Sequence, residues 1–383
     1  MQDFEIIIVG AGPSGCATAL ELTNLDPKLA NRILLLDKAI FPRVKLCAGG
    51  VINDADAVLR QLGVQVDLPA SPVHTSKFIL PTGCLTFSHP DHFRVIDRKE
   101  FDNLLFHNAR RRGVVTKDGE ELKAITRTSQ ALIVKTSKNE YRTKIIIGAD
   151  GSNSSVRSLF NFRRSARLMI AIEIFVPLSQ TNIPDFSPNL AIFDLSVTSR
   201  AVPGYCWVFP TVREGPPSVS LGIMAAPLRK HETLQLKTSF EDWLKGKGVE
   251  PHQFEQKSHP ILRYEPRAPV SQERVLLTGD AAGVDPLFGE GISSALALGT
   301  LAAASALDAI KTNDFSFSTY ESQIRSSSIG KTMRRRRFLA RRLYTHPLLA
   351  SRYLKYGSLL RWVTFLHAHG STANISWQPS KEV

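Results

Sequence analysis

The stretch that decides the fold opens the chain: residues 4–9 read FEIIIV and residues 10–15 read GAGPSG. The first run is apolar and β-branched, which predicts a strand buried on both faces of a parallel sheet. A helical run follows at residues 16–23 (CATALELT), and a second buried strand at residues 32–36 leads into Asp37. Strand, glycine turn, helix, strand and acid in this order predict a βαβ unit that binds a dinucleotide.

Each residue of this unit has a physical task. Gly10 permits the tight turn, Gly12 lets the backbone approach a pyrophosphate, and Gly15 lets the helix pack on the strand. The free N–H groups and the dipole of the helix N-terminus attract the phosphates. Asp37 stands where a ribose-binding carboxylate is expected, roughly 20 residues beyond the glycines. This fingerprint alone does not distinguish FAD from NAD.

The composition is that of a globular protein, with 383 residues of which 43% are hydrophobic and 22% charged. This length suits two interleaved domains. The four cysteines form no CxxC pair and have no zinc-ligand spacing, so no metal site is predicted and a reducing, cytoplasmic setting is expected. No signal-peptide pattern precedes the first strand, and the apolar run at residues 292–310 is interpreted as a buried helix.

Two later motifs point to FAD. Residues 141–148 (YRTKIIIG) predict a strand that leads into Asp150 and Gly151, and residues 274–278 (RVLLT) predict another that leads into residues 279–291 (GDAAGVDPLFGEG). They resemble the Asp-Gly motif and the second FAD signature of the p-hydroxybenzoate hydroxylase-like superfamily. This resemblance implies that Asp280 forms hydrogen bonds with the ribityl hydroxyls. It also implies that residues 286–291 lie against the flavin and that a long helix begins at their end.

The helix that begins near Gly291 would stabilise the negative charge of reduced flavin, and glycine at 289 and 291 lets backbone N–H groups approach the ring. Arg98, before the predicted helix 99–111, matches an arginine that such proteins place near the FAD; the alternative is a solvated charge at a helix start. The predicted cofactor residues are Gly10, Gly12, Pro13, Ser14, Gly15, Asp37, Lys38, Arg43, Arg98, Asp150, Gly151, Gly279, Asp280, Pro286, Gly289, Glu290, Gly291 and Ile292.

Two further stretches narrow the resemblance. Residues 42–50 (PRVKLCAGG) look like the Pro-Arg-x-Lys-x-Cys-Gly-Gly element of the geranylgeranyl reductase family, and residues 204–210 (GYCWVFP) look like its Tyr-x-Trp-x-Phe-Pro motif. The likeness covers about residues 3–310. It implies an FAD-dependent oxidoreductase that reduces carbon–carbon double bonds of an isoprenoid or other apolar substrate by hydride transfer from reduced flavin.

The same resemblance places Cys47 near the flavin as a catalytic residue. It implies a substrate wall formed by Lys45, Tyr205, Trp207 and Phe209, and aromatic walls suit a long apolar chain. Each assignment has a plainer alternative. Cysteine is often a small buried residue, and residues 205–209 alternate as any half-buried strand does.

Other functions remain open. A hydroxylase-type FAD monooxygenase shares the three FAD motifs but activates O₂ for a polar substrate, and a third class of flavoprotein oxidatively modifies a partner protein. A flavin halogenase is disfavoured because its Gly-Trp-x-Trp-x-Ile-Pro motif is absent. No second glycine fingerprint follows a strand, so NAD(P)H or another carrier would donate electrons only transiently.

The C-terminal part is strongly basic. The net charge is +13, and residues 331–342 (KTMRRRRFLARR) carry much of it. Residues 315–344 predict one long helix, followed by apolar residues at helical spacing, which are Leu348, Leu349, Tyr353, Leu354, Leu359, Leu360, Trp362 and Phe365. This pattern predicts either contact with an acidic membrane surface or an acidic partner protein, or a helical cap with solvated arginines. No nucleic-acid recognition module is visible, so no nucleic acid partner is expected.

The predicted fold class is therefore α/β. A Rossmann-type FAD-binding domain with a parallel sheet is expected from residues 1–70, 97–164 and 266–310. A mainly antiparallel substrate domain is expected from residues 71–96 and 165–265, and a basic helical region from residues 311–383. The expected location is the cytoplasm, including peripheral attachment to the cytoplasmic face of the membrane.

Overall fold

The computed structural model describes residues 1–163, 168–183, 186–200, 202–213, 215–226, 234–348 and 374–379. The predicted apolar residues at 349–365 therefore lie outside the described residues. Within these ranges the chain forms two sheets and a set of helices. The predicted α/β class is confirmed, with a mainly parallel sheet, a second mainly antiparallel sheet and C-terminal helices.

The first sheet holds the dinucleotide-type unit. Its strands are β1 (Gln2–Val9), β2 (Ile33–Leu36), β6 (Val115–Lys117), β7 (Leu122–Arg127), β8 (Leu132–Thr136), β9 (Glu140–Gly148), β15 (Ser271–Gln272) and β16 (Val275–Leu277). The order is β15-β16-β9-β1-β2-β6, and β7 and β8 form a hairpin beside β9. β1 pairs in parallel with both β2 and β9, and β16 pairs in parallel with β9. The carboxyl ends of β1, β2, β9 and β16 therefore lie together at one edge, where ligands bind in such sheets.

The second sheet is mainly antiparallel. Its strands are β3 (Gly50–Ile52), β4 (Ala70–Leu80), β5 (Gly83–Ile96), β10 (Leu168–Pro177), β11 (Leu190–Asp194), β12 (Gly204–Pro210), β13 (Ser218–Ala225), β14 (Lys257–Leu262) and β17 (Asn374–Pro379). The order is β14-β10-β13-β12-β11-β4-β5-β17, with β3 on β5. The single parallel pair on this path joins β11 to β4. The sequence alternates because the two faces of the sheet meet different surroundings.

The helices are α1 (Pro13–Leu25), α2 (Asn53–Gln61), α3 (Arg98–Arg111), α4 (Ser155–Leu159), α5 (Leu234–Lys245), α6 (Ile292–Thr312), α7 (Tyr320–Ser326) and α8 (Ser328–Thr345). By length and composition α6 could cross a membrane, but 72% of its most apolar part is buried. It packs on α1 at Gly299, where an added Cβ would lie 2.5 Å from the Ser14 carbonyl oxygen. Such burial is what a core helix requires.

The prediction of one helix over residues 315–344 is wrong. The chain turns at Ser327, which has extended backbone angles and whose hydroxyl accepts a hydrogen bond from the Gly330 N–H at 3.1 Å. Serine in this role starts a new helix. Gly330 then crosses the end of α7 so closely that a Cβ would lie 1.9 Å from the Ile324 carbonyl oxygen. The local N-cap and this close approach explain why two helices replace one.

Candidate functional site

A cavity of about 560 Å³ lies at the carboxyl edge of the first sheet and against one face of the second sheet. Nearly all the residues predicted for the cofactor and the substrate line it. The exceptions are Gly15, Gly279 and Pro286, which are not among the lining residues. The cavity therefore brings together motifs that are spread over about 280 residues of the chain.

The first glycines have the geometry that a dinucleotide turn needs. Gly10 has a φ of +100°, and an added Cβ would lie 2.4 Å from the Ala149 carbonyl oxygen. A Cβ on Gly15 would lie 1.8 Å from the Gly10 carbonyl oxygen, so only glycine lets α1 approach the strand end. Gly12 is different, because a Cβ there would meet only an Arg43 guanidinium nitrogen, at 3.5 Å. Gly12 thus faces open space at the start of α1, and no side chain caps that helix.

Asp37 is fixed at the end of β2. Its carboxylate accepts hydrogen bonds from the N–H groups of Ala11 and Ala39, each at 2.8 Å. Arg43 lies 3.9 Å from the same carboxylate and 3.0 Å from Asp102. The carboxylate is thereby held beside the glycine turn, at the position expected for contact with a ribose.

Arg98 and Asp102 form a buried pair on α3. The Arg98 guanidinium donates to both carboxylate oxygens of Asp102, at 2.8 and 3.0 Å. Burial opposes the charge of Arg98, but Asp102 and the nearby Cys47 thiol outweigh it and raise the pKa of the guanidinium. Arg98 is therefore not a solvated charge: it is 8% exposed and lines the cavity next to Cys47.

The Asp-Gly motif lies beyond β9. One carboxylate oxygen of Asp150 accepts the Val156 N–H at 3.0 Å. The other, Oδ1, is buried and has no hydrogen-bond partner in the described chain. Arg157 on α4 donates twice to the Ala281 carbonyl oxygen, at 3.0 and 2.9 Å. These two bonds tie the Asp-Gly motif to residues 279–291.

Residues 285–291 form a tight loop before α6, called here the flavin loop after the prediction that residues 286–291 lie against the flavin. The Asp285 carboxylate accepts the N–H groups of Leu287 and Phe288, at 2.9 and 3.3 Å. Gly289 has a φ of +65°, where a Cβ would lie 2.8 Å from the Met224 sulfur. α6 begins at Ile292 with Gly291 as its N-cap. The Tyr205 hydroxyl donates to the Phe288 carbonyl oxygen at 2.6 Å and so joins the loop to the second sheet.

The aromatic side chains of β12 form the apolar wall. Tyr205, Trp207 and Phe209 line the cavity, whereas Cys206 and Val208 lie on the opposite face of the sheet. Phe193 packs edge-on against Phe209, with ring centroids 5.1 Å apart. The predicted alternation is therefore observed, and its aromatic face lines a cavity and is not solid core.

Two basic side chains meet inside the cavity. Lys45 Nζ donates to His259 Nε2 at 2.9 Å. Burial lowers the pKa of Lys45, with Asp280 opposing this effect. Burial together with Lys45 and Arg98 lowers the pKa of His259 to about 4, so the imidazole is neutral and accepts. Lys45 was predicted as a substrate residue; His259 was not predicted.

Sequence reasoning also missed Glu173 and Arg336. Glu173 lines the cavity from β10 and is 2% exposed. Arg336 on α8 is 2% exposed and lies 3.1 Å from Asp285. Glu173 could have been noticed, because a lone acid inside the apolar run of residues 168–177 (LMIAIEIFVP) breaks the pattern. Arg336 had no such signal within its run of four arginines.

The residues around the cavity fit FAD. Open space beside Gly12, the uncapped start of α1, the fixed Asp37 carboxylate and the unpartnered Asp150 oxygen are what a dinucleotide with hydroxyls and phosphates would use. Burial raises the pKa of Asp280, and Lys45 and Arg98 oppose this effect, so cationic neighbours stabilise its carboxylate.

Comparison with known proteins agrees with this geometry. Residues 3–297 match the family model described as an FAD binding domain. Digeranylgeranylglycerophospholipid reductase 2 of Methanosphaera stadtmanae is 27% identical over 334 residues, which cover 82% of this chain and 81% of that protein. Geranylgeranyl diphosphate reductase of Rhodobacter capsulatus is 26% identical over 318 residues, which cover 80% and 76% respectively.

A solved structure shares the fold. The geranylgeranyl bacteriochlorophyll reductase-like protein from Thermoplasma acidophilum superimposes with a TM-score of 0.75 at 19% identity, over 94% of this chain and 98% of that one. The chain belongs to the FAD binding domain family and is an FAD-dependent oxidoreductase related to the geranylgeranyl reductases.

Proposed function

We propose that this protein reduces carbon–carbon double bonds in the prenyl chain of an apolar substrate. The observation that carries the proposal is the continuity of one cavity, in which the residues that fit FAD adjoin an aromatic wall. An isoprenoid chain entering along that wall would reach Cys47 and the flavin loop. When bound and reduced, FAD supplies the hydride for such a reduction.

The side chains divide the remaining work. Phe193, Trp207 and Phe209 bury the chain and exclude water, because rigid aromatic rings cover apolar surface at little entropic cost. Tyr205 holds the flavin loop through the Phe288 carbonyl oxygen. Burial raises the pKa of Tyr205, so its hydroxyl keeps the proton of that hydrogen bond.

The second hydrogen of the reduction must arrive as a proton. Cys47 and Lys45 both line the cavity, and the Cys47 thiol interacts with buried Arg98. The Lys45 ammonium donates a hydrogen bond from Nζ to His259 Nε2. We propose that Cys47 Sγ protonates the substrate carbon and that Lys45 and His259 return a proton to this end of the cavity. We also propose that the remaining predicted cofactor residues bind FAD, as the sequence motifs predict.

A hydroxylase-type monooxygenase is the second candidate. Lys45, His259 and Glu173 are polar groups inside the cavity, and a polar aromatic substrate would use them. Rapid mixing of the dithionite-reduced holoprotein with air-saturated buffer separates the two functions. Slow flavin reoxidation supports a reductase that protects its electrons from O₂. Fast reoxidation that is coupled to substrate hydroxylation would overturn the reductase proposal.

We further propose that NAD(P)H or another electron carrier binds transiently and reduces the flavin, and that the protein acts in the cytoplasm.

We also propose that the exposed face of α8 contacts an acidic membrane surface. Its inner face is packed, but Phe338 is 55% exposed, and the Arg342 guanidinium lies 5.1 Å from the Phe338 ring centroid. An exposed aromatic ring among arginines suits an anionic lipid surface. Cosedimentation with anionic but not zwitterionic vesicles, weakened by Phe338→Ser, is the expected result; equal binding of both vesicle types would contradict it.

A further inference from the structure

Glu173 is a carboxyl group in the wall of an otherwise mainly apolar chamber. It lies in the middle of β10, opposite Gly222 of β13 on one side and Lys257 of β14 on the other. Its neighbours along the strand, Ile172 and Ile174, point into the apolar core on the far face of the sheet. Burying an acidic side chain without a charged partner destabilises the folded state, so the position of Glu173 on the cavity side requires a physical explanation.

A chain of hydrogen bonds occupies one of its two oxygens. Trp207 Nε1 donates to Ser220 Oγ at 2.9 Å, and Ser220 Oγ donates to Glu173 Oε1 at 2.6 Å. The indole ring lies across Gly222, where a Cβ would be 2.0 Å from the ring. An indole nitrogen can only donate, so the serine hydroxyl accepts from it and gives its single hydrogen to Glu173. In this arrangement Glu173 Oε1 is the acceptor at the end of the chain.

The second oxygen, Oε2, makes no hydrogen bond with any described residue, and Glu173 forms no ion pair with them. The charged groups that face it have other partners. Arg213 stacks on Phe175, with 3.4 Å from its guanidinium carbon to the ring centroid, and Lys257 pairs with Glu255 at 2.9 Å. Farther along the same face, His259 and Lys45 bond to each other.

Below about pH 7 the carboxyl group keeps its proton and is a hydrogen-bond donor. Burial raises the pKa of Glu173 to about 7, with Ser220 and Arg213 opposing this effect. Because Oε1 accepts the serine hydrogen, the proton of the neutral acid resides on Oε2. An O–H group that has no partner among the described residues is thus available at the wall of the cavity.

We propose that Glu173 recognises an oxygen atom carried by the apolar substrate, with Oε2–H donating a hydrogen bond to a hydroxyl, carbonyl or ether oxygen. This inference rests on the proposed function, which supplies the apolar ligand. It narrows the substrate class to prenyl compounds with an oxygen function that reaches the chamber, as opposed to plain hydrocarbons. A site built to hydrogen-bond such a group discriminates against the ligand that lacks it.

A purely structural role, the orientation of Trp207, is the competing explanation, and three variants separate the two. Glu173→Gln keeps an oxygen that accepts from Ser220 and an N–H that donates at every pH. Glu173→Leu removes both functions. Ser220→Ala cuts the link to Trp207 but leaves the carboxyl group in place, which makes it the matched control.

The test is equilibrium binding of the methyl ether of geranylgeraniol, whose oxygen can only accept a hydrogen bond, and of the matching hydrocarbon without that oxygen, to the FAD-loaded protein in one detergent. Below the pKa of the carboxyl group, the wild type is expected to bind the ether about tenfold more tightly than the hydrocarbon. This preference should shrink at alkaline pH in the wild type, because the ionised carboxylate has no proton to donate. It should persist at both pH values in Glu173→Gln, persist below the pKa in Ser220→Ala, and be absent in Glu173→Leu.

Equal affinity of the wild type for the two probes, binding of neither probe, or an undiminished preference in Glu173→Leu would overturn the inference. Product analysis of the same samples keeps the two proposals apart. A protein that prefers the ether but reduces no double bond supports the Glu173 assignment and contradicts the proposed reduction. A protein that reduces both probes without preferring either supports the proposed reduction and contradicts the Glu173 assignment.

Discussion

Arg336 of α8 lies 3.1 Å from the Asp285 carboxylate, with both side chains almost completely buried. A second carboxylate, Glu290, lies 4.0 Å from the same guanidinium. Asp285 also accepts two N–H groups of the flavin loop, so one arginine from the basic region holds the loop in its shape. The Tyr344 hydroxyl adds a bond to the Leu287 carbonyl oxygen. Part of the basic region is thus a structural clamp on the site.

Replacing Arg336 by Met should destabilise the holoprotein by about 3–5 kcal/mol, because it leaves a buried carboxylate without its partner. Urea unfolding measures the loss. The control is Arg341→Met on the exposed side of α8, which should stay within about 0.5 kcal/mol of the wild type. Arg336→Met with Asp285→Asn should regain part of the loss. If the single variant is as stable as the wild type, the clamp does not exist.

Gly12→Ala should abolish FAD binding while the protein still folds. The new methyl group meets no backbone atom and extends into the space where a pyrophosphate would approach. Gly15→Ala is the contrasting variant, because its methyl group collides with the Gly10 carbonyl oxygen and should prevent stable folding. Flavin absorbance after gel filtration and circular dichroism report the two effects. Full FAD occupancy in Gly12→Ala would contradict the assigned site.

Cys47→Ser should lower kcat about tenfold or more with FAD still bound, since a hydroxyl is a much weaker proton donor than a thiol. The matched control is Cys84→Ser, which lies outside the cavity lining and should leave turnover unchanged. Steady-state turnover with a prenyl alcohol, normalised to flavin content, gives the comparison. Unchanged turnover in Cys47→Ser would remove this residue from the catalytic assignment.

Glu173→Gln should stabilise the holoprotein at alkaline pH. The pKa is about 7 in the folded state against 4.5 for an ordinary glutamate, so the folded state holds this proton more tightly. Wild-type stability therefore falls as the pH rises from 4.5 through 7. The advantage of the glutamine variant should grow over that window to at most about 3 kcal/mol. Thermal unfolding across this range checks it, and a difference that does not change with pH would contradict the raised pKa.

Local motifs were predictable and tertiary partners were not. The strand, glycine turn and helix at residues 4–23 follow from neighbouring residues, because each conformational demand is met within a few positions. His259 and Lys45 are 214 residues apart and meet only through the packing of the second sheet on the loop before β3. No spacing in the sequence encodes that contact. The break at Ser327 is different, because its N-cap bond and the contact of Gly330 with Ile324 are both local; the helical pattern of residues 315–344 concealed it.

The same distinction applies to the aromatic wall. Alternation at residues 204–210 predicted which side chains share a face, since the period of a strand is two. It could not decide whether that face met a cavity or solid core, because the answer depends on the flavin loop and on Phe193 of a different strand.

The decisive test of the proposed reduction is anaerobic single turnover of the FAD-loaded, dithionite-reduced protein with a prenyl alcohol, followed by mass spectrometry of the product. We expect a product that has gained two hydrogen atoms per reduced double bond, in an amount equal to the flavin that is reoxidised. Recovery of unchanged substrate with the flavin still reduced, and insertion of an oxygen atom once air and NAD(P)H are admitted, would contradict it.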